Sequence, residues 1–370
     1  MTDHRRLEGH VLSDSGWLRG GIAFNERIAS LEGLAVASPE GADAYILPGF
    51  IDLHVHGGGG ADVMDGGEGV RTIARVHARH GTTALLATTV TAPADALERT
   101  LRSLSTACRE RTAGGARVAG VHLEGPYISG AKLGAQPDHA RVADPEELRR
   151  LLELAPVRIV TLAPEIAGHA EAIRDLSARG VRVQIGHSAG SYEDGVAALA
   201  HGASGFTHLF NAMTALHHRD PGIVGAALAH ARYAEIIPDL LHVHPGAIRA
   251  ALRAIPRVYC VTDATSAAAM PDGDYRLGSY TVRKCLGGVR LPDGTLAGSA
   301  LTMDQALRNL VAIGLTLEDA SLRLSRFPAE YAGLPDRGRL AVGAWADIVV
   351  IDRELNVTAV YGEGEALWTR

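Results

Sequence analysis

Histidines stand at the end of a strand-like segment early in the chain. The run YILPGFIDLHVHGGGG carries His54 and His56, which are two residues apart and therefore face the same side of a strand. Gly57–Gly60 then allow the chain to turn sharply. Because an HxH pair by itself is common, this pair becomes informative only in combination with other segments.

Four more apolar segments end in residues of the same chemical kind. Glu124 closes VAGVHLE, His187 closes VRVQIGH, His208 lies in GFTHLF, and Asp263 closes VYCVTD. A carboxylate at the end of a buried strand needs either solvent or a compensating cation. Any one of these residues has a simple structural interpretation, but their occurrence on five separate predicted strands favours one shared site.

Imidazole and carboxylate groups are ligands that suit Zn²⁺, Fe²⁺, Co²⁺ and Mn²⁺. A divalent cation lowers the pKa of a bound water to about 7 and so provides hydroxide at neutral pH. A single carboxylate can bridge two cations, and a further carboxylate, such as Asp263, can carry a proton from the attacking water to the leaving group. The residue types therefore predict a hydrolase that uses one or two divalent metal ions.

The elements that would position these residues repeat along the middle of the chain. Between about residues 49 and 335, apolar strand-like runs such as EIIPDLLHV, which ends at residue 243, alternate with segments such as VRTIARVHARHG, ADALERTLRSLSTACRE and EELRRLLELA, which are apolar on one helical face. Asp144 and Thr316 are predicted to start two of the helices. This repetition predicts an α/β fold, a (β/α)8 TIM-like barrel whose strand carboxyl ends meet on one face.

Both ends of the chain have a different hydrophobic pattern from the middle. Residues 8–47 alternate apolar and polar positions between turn residues, and the segment GRLAVGAWADIVVIDRELNVTAVYGEGEAL does the same. We expect a small β-sandwich domain built from both termini. The predicted division is residues 1–48 for its N-terminal part, 49–338 for the barrel and 339–370 for its C-terminal part.

Composition limits the classes of partner. A net charge of −6 argues against general nucleic-acid binding, and we find no apolar run of the roughly 20 residues that a membrane span requires. The first residues lack the features of a signal peptide. Cys108, Cys260 and Cys285 form no CxxC pair, which is typical of a protein in a reducing compartment, so we expect a cytoplasmic enzyme.

Taken in order, the motifs resemble those of the N-acetylglucosamine-6-phosphate deacetylases of the amidohydrolase superfamily. The matching segments run from about residue 45 to residue 352: PGFIDLHVHGGGGADVMD, HLEGPYIS, GHSAG, THLFNAMTALHHRDPGIVGAAL, LHVHP, VTDAT, LAGSALTM, PAEYAGL and GAWADIVVID. The resemblance implies hydrolysis of the N-acetyl group of N-acetylglucosamine 6-phosphate to glucosamine 6-phosphate and acetate, in amino-sugar catabolism.

The resemblance also implies residue roles. Glu124, His187 and His208 would be the core metal ligands, His54 and His56 would hold a second metal that Glu124 bridges, and Asp263 would be the general base and then the general acid. A homodimer is implied, with Arg219 and His242 as phosphate contacts that can come from the neighbouring subunit. The substrate contacts that it implies are Ala135, Gln136, Asn211, Ala212, Arg219, His242, Leu296, Ala297 and Gly298.

Two departures from the family pattern bear on the substrate. Gln136 stands where a histidine is common; it can donate a hydrogen bond but carries no charge, and His139 is a candidate substitute. Pro238-Asp239-Leu240 precedes LHVHP where the family usually has a glycine, and we expect this to displace His242 slightly. Three alternatives therefore stay open: deacetylation of N-acetylgalactosamine 6-phosphate, another amidohydrolase activity such as cyclic amide hydrolysis, and a non-catalytic scaffold.

Overall fold

The computed structural model describes residues 4–41 and 43–370. Its strands, in chain order, are β1 (Arg5–Ser13), β2 (Gly16–Phe24), β3 (Ile28–Val36), β4 (Tyr45–Pro48), β5 (Phe50–Val55), β6 (Gly57–Gly58), β7 (Ala61–Asp62), β8 (Thr82–Thr89), β9 (Arg117–Glu124), β10 (Val157–Leu162), β11 (Arg182–Ile185), β12 (Gly205–Phe206), β13 (Tyr233–Ile236), β14 (Arg257–Cys260), β15 (Gly273–Leu277), β16 (Tyr280–Cys285), β17 (Gly288–Arg290), β18 (Leu296–Ser299), β19 (Ile348–Ile351), β20 (Val357–Gly362) and β21 (Glu365–Thr369).

Within the described residues, ten α-helices lie between these strands. They are α1 (Gly67–Arg79), α2 (Ala94–Arg109), α3 (Pro145–Leu154), α4 (His169–Ala178), α5 (Tyr192–His201), α6 (Gly222–His230), α7 (Pro245–Ala254), α8 (Met303–Ala312), α9 (Leu317–Leu324) and α10 (Arg326–Tyr331). The predicted helices are confirmed, and so are two of their starts. Asp144 accepts hydrogen bonds from the backbone N–H groups of Glu146 and Glu147 at the start of α3, and Thr316 caps α9 in the same way.

The middle of the chain forms eight parallel strands. Six form one parallel sheet in the order β12-β11-β10-β9-β8-β5, and β13 and β14 form a parallel pair. Backbone hydrogen bonds connect the two sets: Leu209 N–H donates to Glu235 O at 2.9 Å, and Asp263 N–H donates to His54 O at 2.9 Å. The parallel α/β architecture is confirmed, while a complete (β/α)8 barrel stays a prediction because the strands are divided between two sheets.

Strands from both ends of the chain build one separate sheet. Its order is β21-β20-β19-β4-β1-β2-β3, with β1 parallel to β4 and the other neighbours antiparallel. It encloses its own apolar cluster, with Ile22, Phe24, Ile46 and Ile348 fully or almost fully buried. The sheet thus joins residues that lie some 300 positions apart, although it is one seven-stranded sheet and not the pair of sheets that a sandwich would have.

Two segments differ from the prediction. The run predicted as a strand through residue 243 stops at Ile236, because Pro238 has no N–H and the Asp239 carboxylate accepts the N–H groups of Leu241 and His242 in a turn. A four-stranded antiparallel sheet, β15 to β18, occupies 273–299 and was not predicted. Among the described residues, no helix has the length and apolar character needed to cross a membrane.

Candidate active site

The loops after three parallel strands carry ligand-type residues in left-handed backbone conformations. His187 follows β11 with φ 48°, His208 follows β12 with φ 28°, and Asp263 follows β14 with φ 50°. Residues other than glycine seldom adopt this conformation, and such strain is concentrated at functional sites. The sequence pattern placed these residues at strand ends. In the structure they lie two or three residues beyond the last residue of each strand.

One group of side chains is centred on Glu124, at the end of β9. Glu124 Oε1 lies 3.2 Å from His187 Nε2 and 3.1 Å from His208 Nε2, and the two Nε2 atoms are 3.1 Å apart. All three side chains are buried. Three ligand atoms at such mutual distances form a group that could hold a metal ion.

A second group lies beside the first. His54 Nε2 and His56 Nε2 are 3.1 Å apart and lie 3.4 Å and 3.2 Å from Asp263 Oδ1. Glu124 Oε2 is 3.1 Å from His56 Nε2. Glu124 Oε1 also lies 3.4 Å from His54 Nε2, so this carboxylate contacts histidines of both groups and stands between them.

The hydrogen bonds on the outer side of the rings decide which ring nitrogen carries the proton. His56 Nδ1 lies 3.1 Å from Thr88 O, and His187 Nδ1 lies 2.8 Å from Lys132 O. A carbonyl oxygen only accepts, so each Nδ1 donates, and each ring in its neutral form presents the lone pair of Nε2 to the cluster. Lone pairs and carboxylate oxygens thus converge, and this donor set fits divalent cations.

Electrostatics lead to the same conclusion. Burial lowers the pKa of His56, but hydrogen bonds to Asp263 and Glu124 outweigh it and raise that pKa to about 9. For His54, the charges of the same two carboxylates overcome burial and raise the pKa well above its ordinary value. The cluster therefore carries excess negative charge in a buried place, which metal ions at these ligands would compensate.

A cavity of about 350 Å³ opens above the cluster. Twelve of the predicted site residues line it: His56, Glu124, Ala135, Gln136, His187, His208, Asn211, Ala212, His242, Asp263, Leu296 and Gly298. Three predicted residues do not. His54 and Ala297 are fully buried behind the wall, and Arg219 is exposed outside the cavity, with a guanidinium nitrogen 3.0 Å from His218 Nε2.

Sequence reasoning missed several residues of this region. Lys132 and Thr295 line the cavity, and Asp239 Oδ2 lies 2.6 Å from Nδ1 of the cavity residue His242. Lys132 is one of just two lysines in the chain, a signal that could have drawn attention to it. Leu240 takes φ 65°, a conformation that favours glycine, which explains why the family pattern has glycine near this point.

Gln136 is held at both ends of its amide. Its Oε1 accepts the N–H of Thr91 at 2.7 Å, and its Nε2 donates to Glu124 Oε2 at 2.5 Å. The amide thus faces the cluster, and Gln136 also lines the cavity. His139 is exposed and does not line the cavity, so it does not take the place of the expected histidine.

Comparison with known proteins agrees with this geometry. A family model described as the amidohydrolase family matches residues 45–367. The chain belongs to the amidohydrolase family. Among curated amidohydrolase relatives, it is 40% identical over 366 residues to N-acetylgalactosamine-6-phosphate deacetylase of Escherichia coli O157:H7, covering 96% of this chain and 97% of the relative. It is also 40% identical over 331 residues to N-acetylglucosamine-6-phosphate deacetylase of Vibrio furnissii, covering 87% and 83%.

Solved structures give the same result. An aspartate-to-alanine mutant of N-acetyl-D-glucosamine-6-phosphate deacetylase from Mycobacterium smegmatis, in complex with N-acetyl-D-glucosamine-6-phosphate, has a TM-score of 0.93 at 35% identity and covers 99% of this chain and 100% of that one. The enzyme of the same name from Thermotoga maritima has a TM-score of 0.91 at 32% identity, with 99% and 100% coverage. The predicted resemblance to deacetylases within the amidohydrolase family is confirmed.

Proposed function

We propose that this protein hydrolyses the N-acetyl group of N-acetylglucosamine 6-phosphate to give glucosamine 6-phosphate and acetate. The observation that carries the proposal is the convergence of His54, His56, Glu124 and Asp263 with two further histidines at the floor of one cavity. Full-length relatives with this activity in their names support it.

Different residues of the site have different proposed roles. Glu124, His187 and His208 would hold one divalent metal ion, and His54 and His56 would hold a second with Glu124 between them. When bound, such ions polarise the acetyl carbonyl and make hydroxide available at neutral pH. Zinc is our first candidate because imidazole and carboxylate donors suit it, and iron, cobalt and manganese are the alternatives that suit the same donors.

Asp263 is placed to move the proton. Burial raises its pKa, but the charge of His54 and the hydrogen bond from His56 outweigh burial and lower it, so Asp263 is ionised at neutral pH. An ionised carboxylate that lines the cavity can accept a proton from the attacking water and later give it to the departing amine.

The residues of the cavity wall would bind the sugar phosphate. We assign His242 to the phosphate, with Lys132 as the additional cation that lines the cavity of the same chain. The backbone of Asn211, Ala212, Ala135 and the Leu296–Gly298 turn would position the sugar. Arg219 is exposed outside the cavity of its own subunit. It therefore fits a role in which it contacts the phosphate bound in the cavity of the other subunit of a homodimer.

The eight parallel strands would then form a closed (β/α)8 barrel over 49–338, flanked by a terminal domain of 1–48 and 339–370. The hydrogen bonds from Leu209 to Glu235 and from Asp263 to His54 support closure at the two places where the sheets meet. A cytoplasmic location stays a prediction from the three cysteines, all of which are unpaired.

A second substrate is favoured by one specific observation. The relative that aligns with 96% of this chain is named for N-acetylgalactosamine 6-phosphate, the epimer at a single hydroxyl. Initial rates on both sugar phosphates and on a cyclic imide separate the alternatives. We expect the kcat/KM for N-acetylglucosamine 6-phosphate to be the highest of the three; a higher value for the galactose epimer would reassign the substrate.

Metal dependence is tested on the same preparation. Treatment with a chelator should abolish acetate release, and one added divalent metal should restore it, with bound metal measured by elemental analysis. Full activity in protein with less than a tenth of an equivalent of metal would contradict the proposal.

A further inference from the structure

A buried polar layer lies directly beneath the metal-ligand cluster. The interiors of parallel barrels are ordinarily filled by branched apolar side chains. Here six polar side chains from neighbouring strands and their ends are all fully buried: His122, Thr161, Gln184, Thr207, Glu235 and Tyr259. Polar groups without solvent are costly unless they are paired, so this layer calls for an explanation.

Glu235, on β13, is the charged member of the layer. Its Oε2 lies 3.1 Å from His54 Nδ1 and 3.3 Å from the backbone N of His208. Its Oε1 lies 3.1 Å from Gln184 Nε2 and 3.2 Å from Tyr259 Oη. Within the described part of the chain, Glu235 forms no ion pair with a lysine or an arginine.

These contacts link Glu235 to both groups of metal ligands. A carboxylate that accepts from His54 Nδ1 keeps the proton on that nitrogen, so Nε2 is presented as a lone pair beside His56 Nε2. The same oxygen accepts the backbone N–H of His208, which holds the strained loop that carries the other group.

We propose that Glu235 is a positioning residue that selects the metal-binding tautomer of His54 and thereby determines occupancy of the metal site beside His56. The inference deepens the proposed function and rests on it. Glu235 touches no reacting atom; it acts through His54.

A third metal site is the competing interpretation, since His54, His122 and Glu235 could also surround an ion. The contacts of His122 argue against it. Its Nδ1 lies 3.1 Å from Leu53 O and its Nε2 lies 2.7 Å from Thr161 Oγ1, so both ring nitrogens already have partners. The three residues therefore belong to a hydrogen-bond layer.

The test measures metal binding without substrate. Chelator-stripped full-length protein is titrated with Zn²⁺ in the presence of a competing chromophoric chelator. We expect two tight equivalents for the wild type. Glu235→Leu, which removes the acceptor at similar volume, should keep one tight equivalent and weaken the other by about 10- to 100-fold.

Tyr259→Phe is the matched control. It removes a donor to the far oxygen of the same carboxylate and leaves the His54 contact in place, so both equivalents should stay within threefold of wild type. An unchanged two-site isotherm for Glu235→Leu would overturn the inference. A third equivalent in the wild type that Glu235→Leu removes would overturn it in favour of the metal-site interpretation.

A second variant covers the case in which Glu235→Leu does not fold. Glu235→Gln keeps an acceptor but removes the charge, and we expect it to weaken one equivalent at least threefold with an unchanged far-ultraviolet circular dichroism spectrum. Nitrogen-15 shifts of the His54 ring should report a protonated Nδ1 in zinc-loaded wild type; an Nδ1 without a proton there contradicts the inference. If the wild type binds two ions but cleaves none of the tested amides, the proposed function fails and this inference stands.

Discussion

The two oxygens of Glu124 have different surroundings. Oε1 faces His187 and His208 and lies 3.4 Å from His54 Nε2, whereas Oε2 faces His56 and the amide of Gln136. Burial raises the pKa of Glu124, but the charge of His54 and the histidine hydrogen bonds hold it well below its ordinary value, so this carboxylate is ionised. Its orientation is thus set from both sides before any ligand enters.

Asp263 allows the proton-transfer role to be tested separately from metal binding. Asp263→Asn keeps the size of the side chain but removes the base, so we expect kcat to fall by about 10³-fold. Metal content should stay within a quarter of the wild-type value, because Glu124 and the four histidines remain. Steady-state acetate release and elemental analysis on the same samples provide the measurement; a kcat within twofold of wild type would refute the assignment.

The role of Gln136 can be tested with two polar substitutions, of which only one keeps an N–H donor. Gln136→Glu replaces the N–H donor that faces Glu124 Oε2 with a second negative oxygen, so we expect kcat/KM to fall by about 10- to 100-fold. Gln136→His retains a donor and should keep at least a tenth of the activity. Equal losses in the two variants would show that the hydrogen bond to Glu124 is not what matters.

At the scale of elements, short loops after the strands position the residues of the site. The chain turns immediately after His56 through the two-residue strands β6 and β7, and the backbone of Gly57 fits closely against its neighbours. A β-carbon at Gly57 would lie 2.4 Å from Ser266 N and 2.6 Å from Ala61 O. Both are backbone atoms, which cannot move aside cheaply.

We therefore expect Gly57→Ala to lower the free energy of unfolding by about 1–3 kcal/mol, a typical cost of overpacking. It should also reduce kcat, because His56 is the adjacent residue. Gly130→Ala is the control, since a β-carbon there meets nothing within 4 Å. Chemical denaturation and the acetate assay measure both effects; a variant of Gly57 as stable as that of Gly130 would contradict the packing argument.

At the scale of the whole molecule, one carboxylate joins the terminal sheet to the parallel strands. Glu363, between β20 and β21, accepts two hydrogen bonds from Arg117 of β9, at 2.9 Å and 2.7 Å, and contacts Arg337. Burial raises its pKa, but the hydrogen bond from Arg117 and the charge of Arg337 outweigh burial and lower it to about 2.

This depressed pKa predicts how stability depends on pH. A carboxylate whose pKa is lower in the folded state stabilises that state above its ordinary pKa, and the contribution is lost as the pH falls toward about 2. Glu363→Gln should therefore lower the free energy of unfolding by about 2 kcal/mol at pH 7. The difference from wild type should shrink between pH 4.5 and pH 2.

Glu365 offers a matched comparison two residues away. Its side chain is 68% exposed and lies 3.4 Å from Arg111, so Glu365→Gln should change stability by less than about 0.5 kcal/mol at either pH. Urea denaturation of both variants across this pH range checks the prediction. A pH-independent loss in Glu363→Gln would assign the effect to packing instead of charge.

The ligand set, the helices and the family could be predicted from sequence because each depends on local properties. Residue type decides what can bind a metal, a two-residue spacing decides that His54 and His56 share a face, and helical periodicity decides which segments form α1 to α3. The same local pattern failed at Pro238, where a missing N–H ended the strand early, and it did not predict β15 to β18.

Pairing between distant residues was decided by the tertiary structure alone. Glu235 meets His54 across 181 positions of sequence, Gln136 reaches Glu124 through its own loop, and Arg219 lies outside the cavity that its motif suggested. Such contacts depend on strand register and on loop conformations at positive φ, which are set by packing and not by residue type. The sequence determined which chemistry the protein carries, and the fold decided how its ligands are oriented and held.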